Sequence, residues 1–485
     1  MKHLLSLSIG PVQDFISAAR RTADLAAGSG LLLKIVGAAA KAGAEYGELI
    51  FPAADDKPGA NKILLEVREG VDPQGAAVDI KAAAHDCLRQ QWLKAKEVIS
   101  SKYQMNGELA DAQIGCFLEI YAAWVPYSDA DYNIKRSEVE RLLGARKSLR
   151  DFSPPPACAP SRNILAKSPL DPAFECALTG MPKPRGDDET ETEENLRNPL
   201  HLKRTEFLDA ISLLKRTMPL PVPSSRDFAE RRNQPGFMST SNENDAAPPR
   251  YAYYAILQAD GDDMGVRLGK IQSAEEHREF SRTLADFAKS VGDIVKRHDG
   301  FLVYAGGDDV LAFLPVTTAV ECARSIAKAF ADRVGANLSA GIAIVHYKQP
   351  LSISREQASE AQRKAKIHNG KNALCLALHT RGGGPMHVTN GWDNWARFGV
   401  LASALGEGEL VTGVAYEFHK LVDEFDGSET PKGLLRKEAE RIWNRKQGQA
   451  GGPMPPLPSH APDDCSSLRL FANELIVAKF LSRGG

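Results

Sequence analysis

The sequence predicts an α+β protein: two ferredoxin-like domains in tandem, a connector between them and a helical C-terminal domain. Three observations lead there. Two blocks of the chain share the order strand–helix–strand–strand–helix–strand. Breaker-rich segments separate those blocks. The composition, 43% hydrophobic and 25% charged in 485 residues, is that of a globular protein. At roughly 150 residues per domain the length accommodates about three of them. Lys+Arg at 60 against Asp+Glu at 62 gives a net charge of −2, which excludes a polycation that condenses on nucleic acid but leaves room for a local basic groove. The seven cysteines are scattered and nowhere spaced as Cys-x-x-Cys, the usage of a reduced cytoplasmic protein. The apolar stretch Leu31–Ala44 is interrupted by Lys34 and Lys41 and reads as too short for a membrane span. The amino-terminal apolar run reads as too short for a signal peptide, so a cytoplasmic protein with no membrane partner is expected.

The breakers set the expected domains. SPPPACAP at 153–160, the acidic stretch at 181–199, the Asn/Ser/Pro-rich 234–249, GGGP at 382–385 and the Pro/Gly-rich 447–464 all punctuate the chain. The expected division is 1–150, a connector at 151–248, 249–382, and a helical 383–485. In the first block Leu4–Ile9 reads as a strand, Val12–Ala44 as one helix, Glu48–Phe51 and Lys62–Val67 as strands, Ala76–Ser101 as a helix and Phe117–Val125 as a strand. In the second, Tyr251–Ala259 is β-rich, and Ala274–Arg297 repeats apolar residues at helical spacing through Phe280, Leu284, Phe287, Val291 and Ile294. Short strands at Gly300–Tyr304 and Val310–Pro315 flank a Gly-Gly turn. Thr318–Val334 follows as a helix, Asn337–His346 as a strand, Arg355–His368 as a helix and Ala373–His379 as a strand.

Two acidic clusters stand out in the second block. Asp260-Gly261-Asp262-Asp263-Met264-Gly265 follows its first strand, and Gly306-Gly307-Asp308-Asp309 lies in its hairpin. A Gly306-Gly307 turn would let Asp308 open the returning strand. Neighbouring strands are about 4.8 Å apart, so Asp260, Asp308 and Asp309 can converge at one sheet end. Mg²⁺ or Mn²⁺ suits such a site, because a hard cation takes one or two carboxylates together with substrate phosphates. The turn at 261–265 leads to a helix start, where backbone N–H groups can meet a triphosphate. Asp and Gly are also the common turn residues, so two solvated turns form the competing interpretation; two clusters at one sheet edge favour a site.

These segments resemble the palm, or cyclase-type, polymerase domain shared by GGDEF-type diguanylate cyclases and the Cas-ten large subunit of type III CRISPR effector complexes, the Cmr-type of type III-B most of all. SIGPVQDFISAARRTADLAAGSGLL at 8–32, ELIFPAADDKPGANKILLEV at 48–67, YYAILQADGDDMG with YAGGDDVLAF, and REQASEAQRKAKIHNGKNAL carry the resemblance, which runs from about residue 3 to 380. It implies a protein that joins other type III-B subunits, CRISPR RNA and target RNA, and polymerises ATP into cyclic oligoadenylate messengers. Carried over by position, Asp260, Asp308 and Asp309 would be the catalytic metal ligands. Gly261, Asp262, Asp263, Met264, Gly265, Gly306, Gly307 and Lys366 would meet the nucleotide. Lys366 is equally a surface lysine on a basic helix, and Arg20 and Arg21 either face a ligand or pair with Asp24 on their helix.

The chain departs from the family in two places. It enters the first palm at residue 4, which implies a member without the HD nuclease domain, and His85-Asp86 and His298-Asp299 read as structural, so DNA cleavage is not expected. In the connector Thr179 stands where a zinc-binding Cys-x-x-Cys would have its second cysteine after Cys176; with only Cys158 and His201 nearby, zinc is not expected. Two other readings remain open: a catalytically silent subunit that scaffolds or binds nucleotide, and a palm-fold cyclase making a different messenger.

Overall fold

The computed structural model describes residues 1–53, 61–149, 166–181, 198–218, 222–230, 252–406, 413–426, 433–447 and 464–483. The breaker segments at 153–160 and 234–249, with Cys158, lie outside the described residues. Contacts gather the chain into two units. One comprises Met1–Ser224, Asp263–Ser290 and Val303–Asp308; the other comprises Ser225–Asp262, Val291–Leu302 and Asp309–Gly485.

The first unit begins with strand β1 (Lys2–Gly10), whose Leu4, Leu5, Leu7 and Ile9 have no exposed surface, so both faces of the strand are covered. A five-residue helix α1 (Gln13–Ser17) and a long helix α2 (Thr22–Ala44) follow. One continuous helix from Val12 was expected. The chain restarts instead at Arg21, where the Asp24 carboxylate accepts the N–H groups of Arg20 (3.3 Å) and Arg21 (3.2 Å). Taken whole, α2 is long and apolar enough to cross a membrane, which corrects the impression left by Leu31–Ala44 alone. Its most apolar window is 67% buried within the fold, so this apolarity serves the core.

Strands β2 (Gly47–Phe51) and β3 (Lys62–Val67) lead to α3 (Pro73–Lys102). A two-residue β4 (Gln104–Met105) precedes α4 (Gly107–Phe117), a helix the sequence reading missed. Phe117 ends that helix, and strand β5 (Glu119–Tyr127) starts after it; α5 (Tyr132–Ser148) follows. The sheet order is β2-β3-β1-β5 with all neighbours antiparallel, the arrangement a strand–helix–strand–strand–helix–strand chain makes when its first strand lies inside the sheet. Beyond it come β6 (Leu178–Gly180), which pairs with β4, and α6 (Ala210–Thr217).

The second unit opens with α7 (Ser225–Glu230), whose Phe228 stacks on Phe313 at 5.7 Å. Strand β7 (Tyr253–Gly261), helices α8 (Met264–Lys270) and α9 (Ala274–Arg297), and the hairpin β8 (Phe301–Gly306) and β9 (Asp309–Leu314) follow in the chain. Helix α10 (Ala319–Val334), strand β10 (Leu338–His346), helix α11 (Leu351–Ile367) and strand β11 (Ala373–Leu378) complete the pattern. Strand β12 (Met386–Gly391) extends it, where the sequence reading placed the start of an all-helical tail. The sheet runs β12-β11-β10-β7-β9-β8, with β10 and β11 parallel. Its last four members repeat the order of the first sheet. The C-terminal helices α12 (Trp395–Gly406), α13 (Gly413–Phe425), α14 (Leu434–Gln447) and α15 (Cys465–Arg483) gather Phe418, Trp443 and Phe471 into an aromatic core. A buried hydrogen bond from Asn390 Nδ2 to Glu474 Oε1 (2.7 Å) ties α15 to β12.

One contact in this unit decides where α11 lies. A Cβ on Gly341 of β10 would stand 2.1 Å from the backbone N of Gln362, so the helix lies flush on the strand. Ala358, Ala361 and Ala365, all fully buried, give α11 the flat face this requires. Gly341→Ala is expected to lower stability by about 1–3 kcal/mol through overpacking, measured by denaturant titration.

In the first unit, the α9 segment up to Ser290 packs beside α5. The buried His277 Nδ1 lies 2.8 Å from Tyr132 Oη, and Arg278 bridges Glu48 and Glu66 at 3.0 Å each. Burial, with the Arg136 and Lys62 charges, pushes the His277 imidazole down to about 4 from 6.5. The unfolded chain therefore takes up the proton first as pH falls below 6.5. Stability from this group is complete above about pH 6.5 and is lost toward pH 4, by an amount on the order of 1–3 kcal/mol. His277→Gln is expected to flatten the fall in Tm between about pH 7 and about pH 4.5.

Candidate functional site

Strand β7 ends at Asp260-Gly261 because the chain leaves the sheet there: Asp263 takes a left-handed conformation (φ 55°) and caps the seven-residue α8. The β7–β9 register pairs Ala259 with Val310. The pairing ends there, so Asp260 at the end of β7 and Asp309, the first residue of β9, each stand one step beyond it. In an antiparallel pair the end of one strand lies beside the start of the next, so both residues belong to one edge of the sheet. On the other side Asp260 pairs with Ser339 of β10.

The hairpin differs from the sequence reading by one residue. Gly306 stays in β8, and the two-residue turn is Gly307-Asp308, with Gly307 at φ 73°. Asp308 therefore sits in the turn, and Asp309, not Asp308, opens the returning strand. Only Gly307 needs the left-handed region here, which is why one glycine of the pair was enough to turn the chain.

Lys366, in the last turn of α11, reaches Asp260: its ammonium pairs with the Asp260 carboxylate and donates to Gly261 O at 3.1 Å. The side chains are 29% and 27% exposed, so the pair contributes at most about 1 kcal/mol of stability. Its effect is to place a cation at the end of β7.

Asp262 points inward. It is 6% exposed, and its Oδ2 accepts from Ser339 Oγ and from the Asn372 N–H, both at 2.9 Å. Its own N–H donates to Asn337 O at 2.8 Å, so that amide is spent within the protein. Ser339 and Asn372 were not singled out from the sequence. The signals were a lone buried serine in the apolar LSAGIAIV of β10 and the Gly-Lys-Asn that ends the α11 segment.

The remaining candidates have structural partners. Arg21 Nη2 donates to Leu200 O (2.7 Å) and His201 O (3.0 Å), Arg20 lies 3.7 Å from Glu206, and Asp24 pairs with the buried Arg216 at 2.7 Å. Cys176 Sγ is buried and donates to Phe207 O at 3.4 Å. His298 Nδ1 lies 2.9 Å from Ile294 O of its own helix. Among the described residues no three His, Cys, Asp or Glu side chains come together to hold a metal. Asp260 and Asp309 offer hard oxygen donors that fit Mg²⁺ or Mn²⁺ completed by nucleotide phosphates, and not a cage made of protein alone.

Comparison with known proteins places this geometry. Residues 253–375 match the family described as Cas10/Cmr2, second palm domain, and residues 4–151 match CRISPR-associated protein Cmr2, N-terminal. A CRISPR system Cmr subunit Cmr2 from Pyrococcus furiosus is 37% identical over 191 residues, which is 32% of this chain; the chain spans only 22% of that relative's length. The apo type III-B Cmr-beta structure superposes with a TM-score of 0.70 at 12% identity, covering all of this chain and 82% of that one. A Csm1–Csm4 cassette in complex with cA4 gives a TM-score of 0.59 at 13% identity, covering 99% and 70%. The same cassette in complex with AMPPNP gives 0.56 at 14% identity, covering 99% and 70%. At such identities these structures share the fold. With both family matches falling on its two sheets, this chain belongs to the Cas10/Cmr2 family.

Proposed function

We propose that this chain is the large subunit of a type III-B RNA-guided effector complex and that, when target RNA pairs with the CRISPR RNA, it polymerises ATP into cyclic oligoadenylate. The observation that carries the reading is the Asp260–Lys366 pair at the end of β7, beside the strand end where Asp309 opens β9, in the segment that matches the second palm. A nucleotidyltransferase needs anionic ligands for a divalent cation beside a cation for the triphosphate, and this edge supplies both. The family and the solved relatives with cA4 and with AMPPNP support the choice of chemistry.

In this reading Asp260 and Asp309, with Asp308 next to Asp309 in the chain, hold Mg²⁺ or Mn²⁺. When bound, the ion neutralises charge on the triphosphate and makes the attacking ribose hydroxyl easier to deprotonate. Lys366 exchanges the Asp260 carboxylate for a phosphate oxygen. Gly307 leaves room for a ligand, since among the described residues no atom beyond its chain neighbours lies within 4 Å of where its Cβ would be. Gly261, Asp263, Met264 and Gly265 border the nucleotide at the strand end, and Gly306 leads into the turn. Asp262 faces away from it.

A second reading, a catalytically silent subunit, draws on the state of Asp260, whose charge is already neutralised by Lys366 without any metal. The two separate in a reconstituted complex supplied with ATP, Mg²⁺, guide and target RNA. Oligoadenylate detected by mass spectrometry is expected from the unaltered complex. Asp308→Ala with Asp309→Ala is expected to cut it by more than about a hundredfold, the scale on which removing a charge stabiliser acts. ATP binding without product would establish the silent reading, and products from other bases in a mixed nucleotide pool would reassign the messenger.

A further inference from the structure

We infer that Asp262 is a positioning residue: it holds the Gly370–Asn372 turn and so delivers Lys366 to the nucleotide. The inference rests on the function proposed above and adds to it a residue that never touches the ligand.

Gly370, Lys371 and Asn372 are consecutive residues at φ 83°, 52° and 49°. Left-handed backbone at two adjacent non-glycine residues is unfavourable and persists only where something holds it. The Asp262 carboxylate is that holder, through the Asn372 N–H at 2.9 Å. Its position is fixed in turn by Ser339 Oγ on β10 and by its own N–H on Asn337 O. The other end of the turn is tied to the helix, because Lys371 N donates to His368 O at 2.8 Å. The helix terminus carrying Lys366 is therefore anchored two residues beyond Asp260, the group Lys366 must reach.

The flush contact at Gly341 sets how far α11 stands from the sheet, but apolar contact alone leaves a helix free to slide along its axis. A shift of one residue is about 1.5 Å, enough to take an ammonium out of hydrogen-bond range of a carboxylate. The Asp262–Asn372 bond supplies the axial stop. Asp262 Oδ1 is buried with no hydrogen-bond partner among the described residues, so the carboxylate is retained despite a desolvation cost.

The test is a double-mutant cycle in the full-length chain, read as affinity for a non-hydrolysable ATP analogue with Mg²⁺. Lys366→Met and Asp262→Ala are each expected to weaken binding by about tenfold, the scale on which orienting partners act. The double variant is expected to be no more than about twofold weaker than Lys366→Met alone, because Asp262 acts through the lysine. Asp262→Asn, which keeps an acceptor for the Asn372 N–H, is expected to restore affinity to within about threefold of wild type. If Asp262→Ala does not fold, Asp262→Ser, too short to span to Asn372, enters the same cycle. Wild-type affinity in Asp262→Ala, or losses that multiply in the double variant, would overturn the inference while leaving Lys366 in place. Wild-type affinity in Lys366→Met would instead remove the nucleotide reading itself.

Discussion

The backbone contact between Gly341 and Gln362 governs the candidate site, although it carries no chemistry. A helix that sits against a strand with no side chain between them cannot tilt or rise, so the direction of every residue on it is set by the phase of the helix alone. Ala358, Ala361 and Ala365 face the sheet, and Lys366, one step round, projects past the end of β7. Replacing any of these small residues by a larger one moves the lysine as a rigid consequence of packing. The alanine face of α11 against Ala373, Cys375 and Ala377 of β11 extends the same flat interface sideways.

Asp260 and Asp309 stand one step beyond the last paired residues of adjacent strands, so the ladder between Ala255–Ala259 and Val310–Leu314 keeps both at one end of the sheet. Lys366 is the cation that stands beside Asp260. Its solvent-screened contribution is modest, so the pair is easily broken. A fully buried pair at that position would carry a larger desolvation cost and would be harder to break. The partial exposure of Asp260 and Lys366 contrasts with Asp24 and Arg216 of the first unit, both 3% exposed.

Much of this architecture is legible in the residues. Apolar runs such as LLSLSI and AILQA mark the inner strands because both faces of those strands are covered, and the helical period of 274–297 matches α9 at both ends. Helix α4 escaped because its glycines, Gly107 and Gly115, mask the period, and β12 escaped because only Met386 and Val388 of MHVTNG are apolar. The hairpin shifted by one residue because either glycine of Gly306-Gly307 can take the turn, and only the pairing with β7 decides between them. Asp262 is the instructive case. In sequence it is one of three nearly equivalent aspartates, and what sets it apart is a serine 77 residues away and a backbone amide 110 residues away. No local pattern encodes those partners; the parallel return of β11 beside β10 creates them.

The two sheets, alike in strand order, differ in the side chains at the ends of their first strands. Both place their first strand inside the sheet in the same order. The first strand of one ends at Gly10, paired with Glu119; that of the other ends with Asp260, paired with Ser339, and Gly261. A glycine at Gly10 removes the carboxylate, and α2, which follows it, buries its first turn against the connector through Asp24 and Arg216. The first sheet's equivalent edge has thus been spent on holding the domain together, while the second keeps an acidic, half-exposed edge served by a lysine. Shared topology supplies the frame, and the difference in chemistry comes down to which side chains stand at the strand ends.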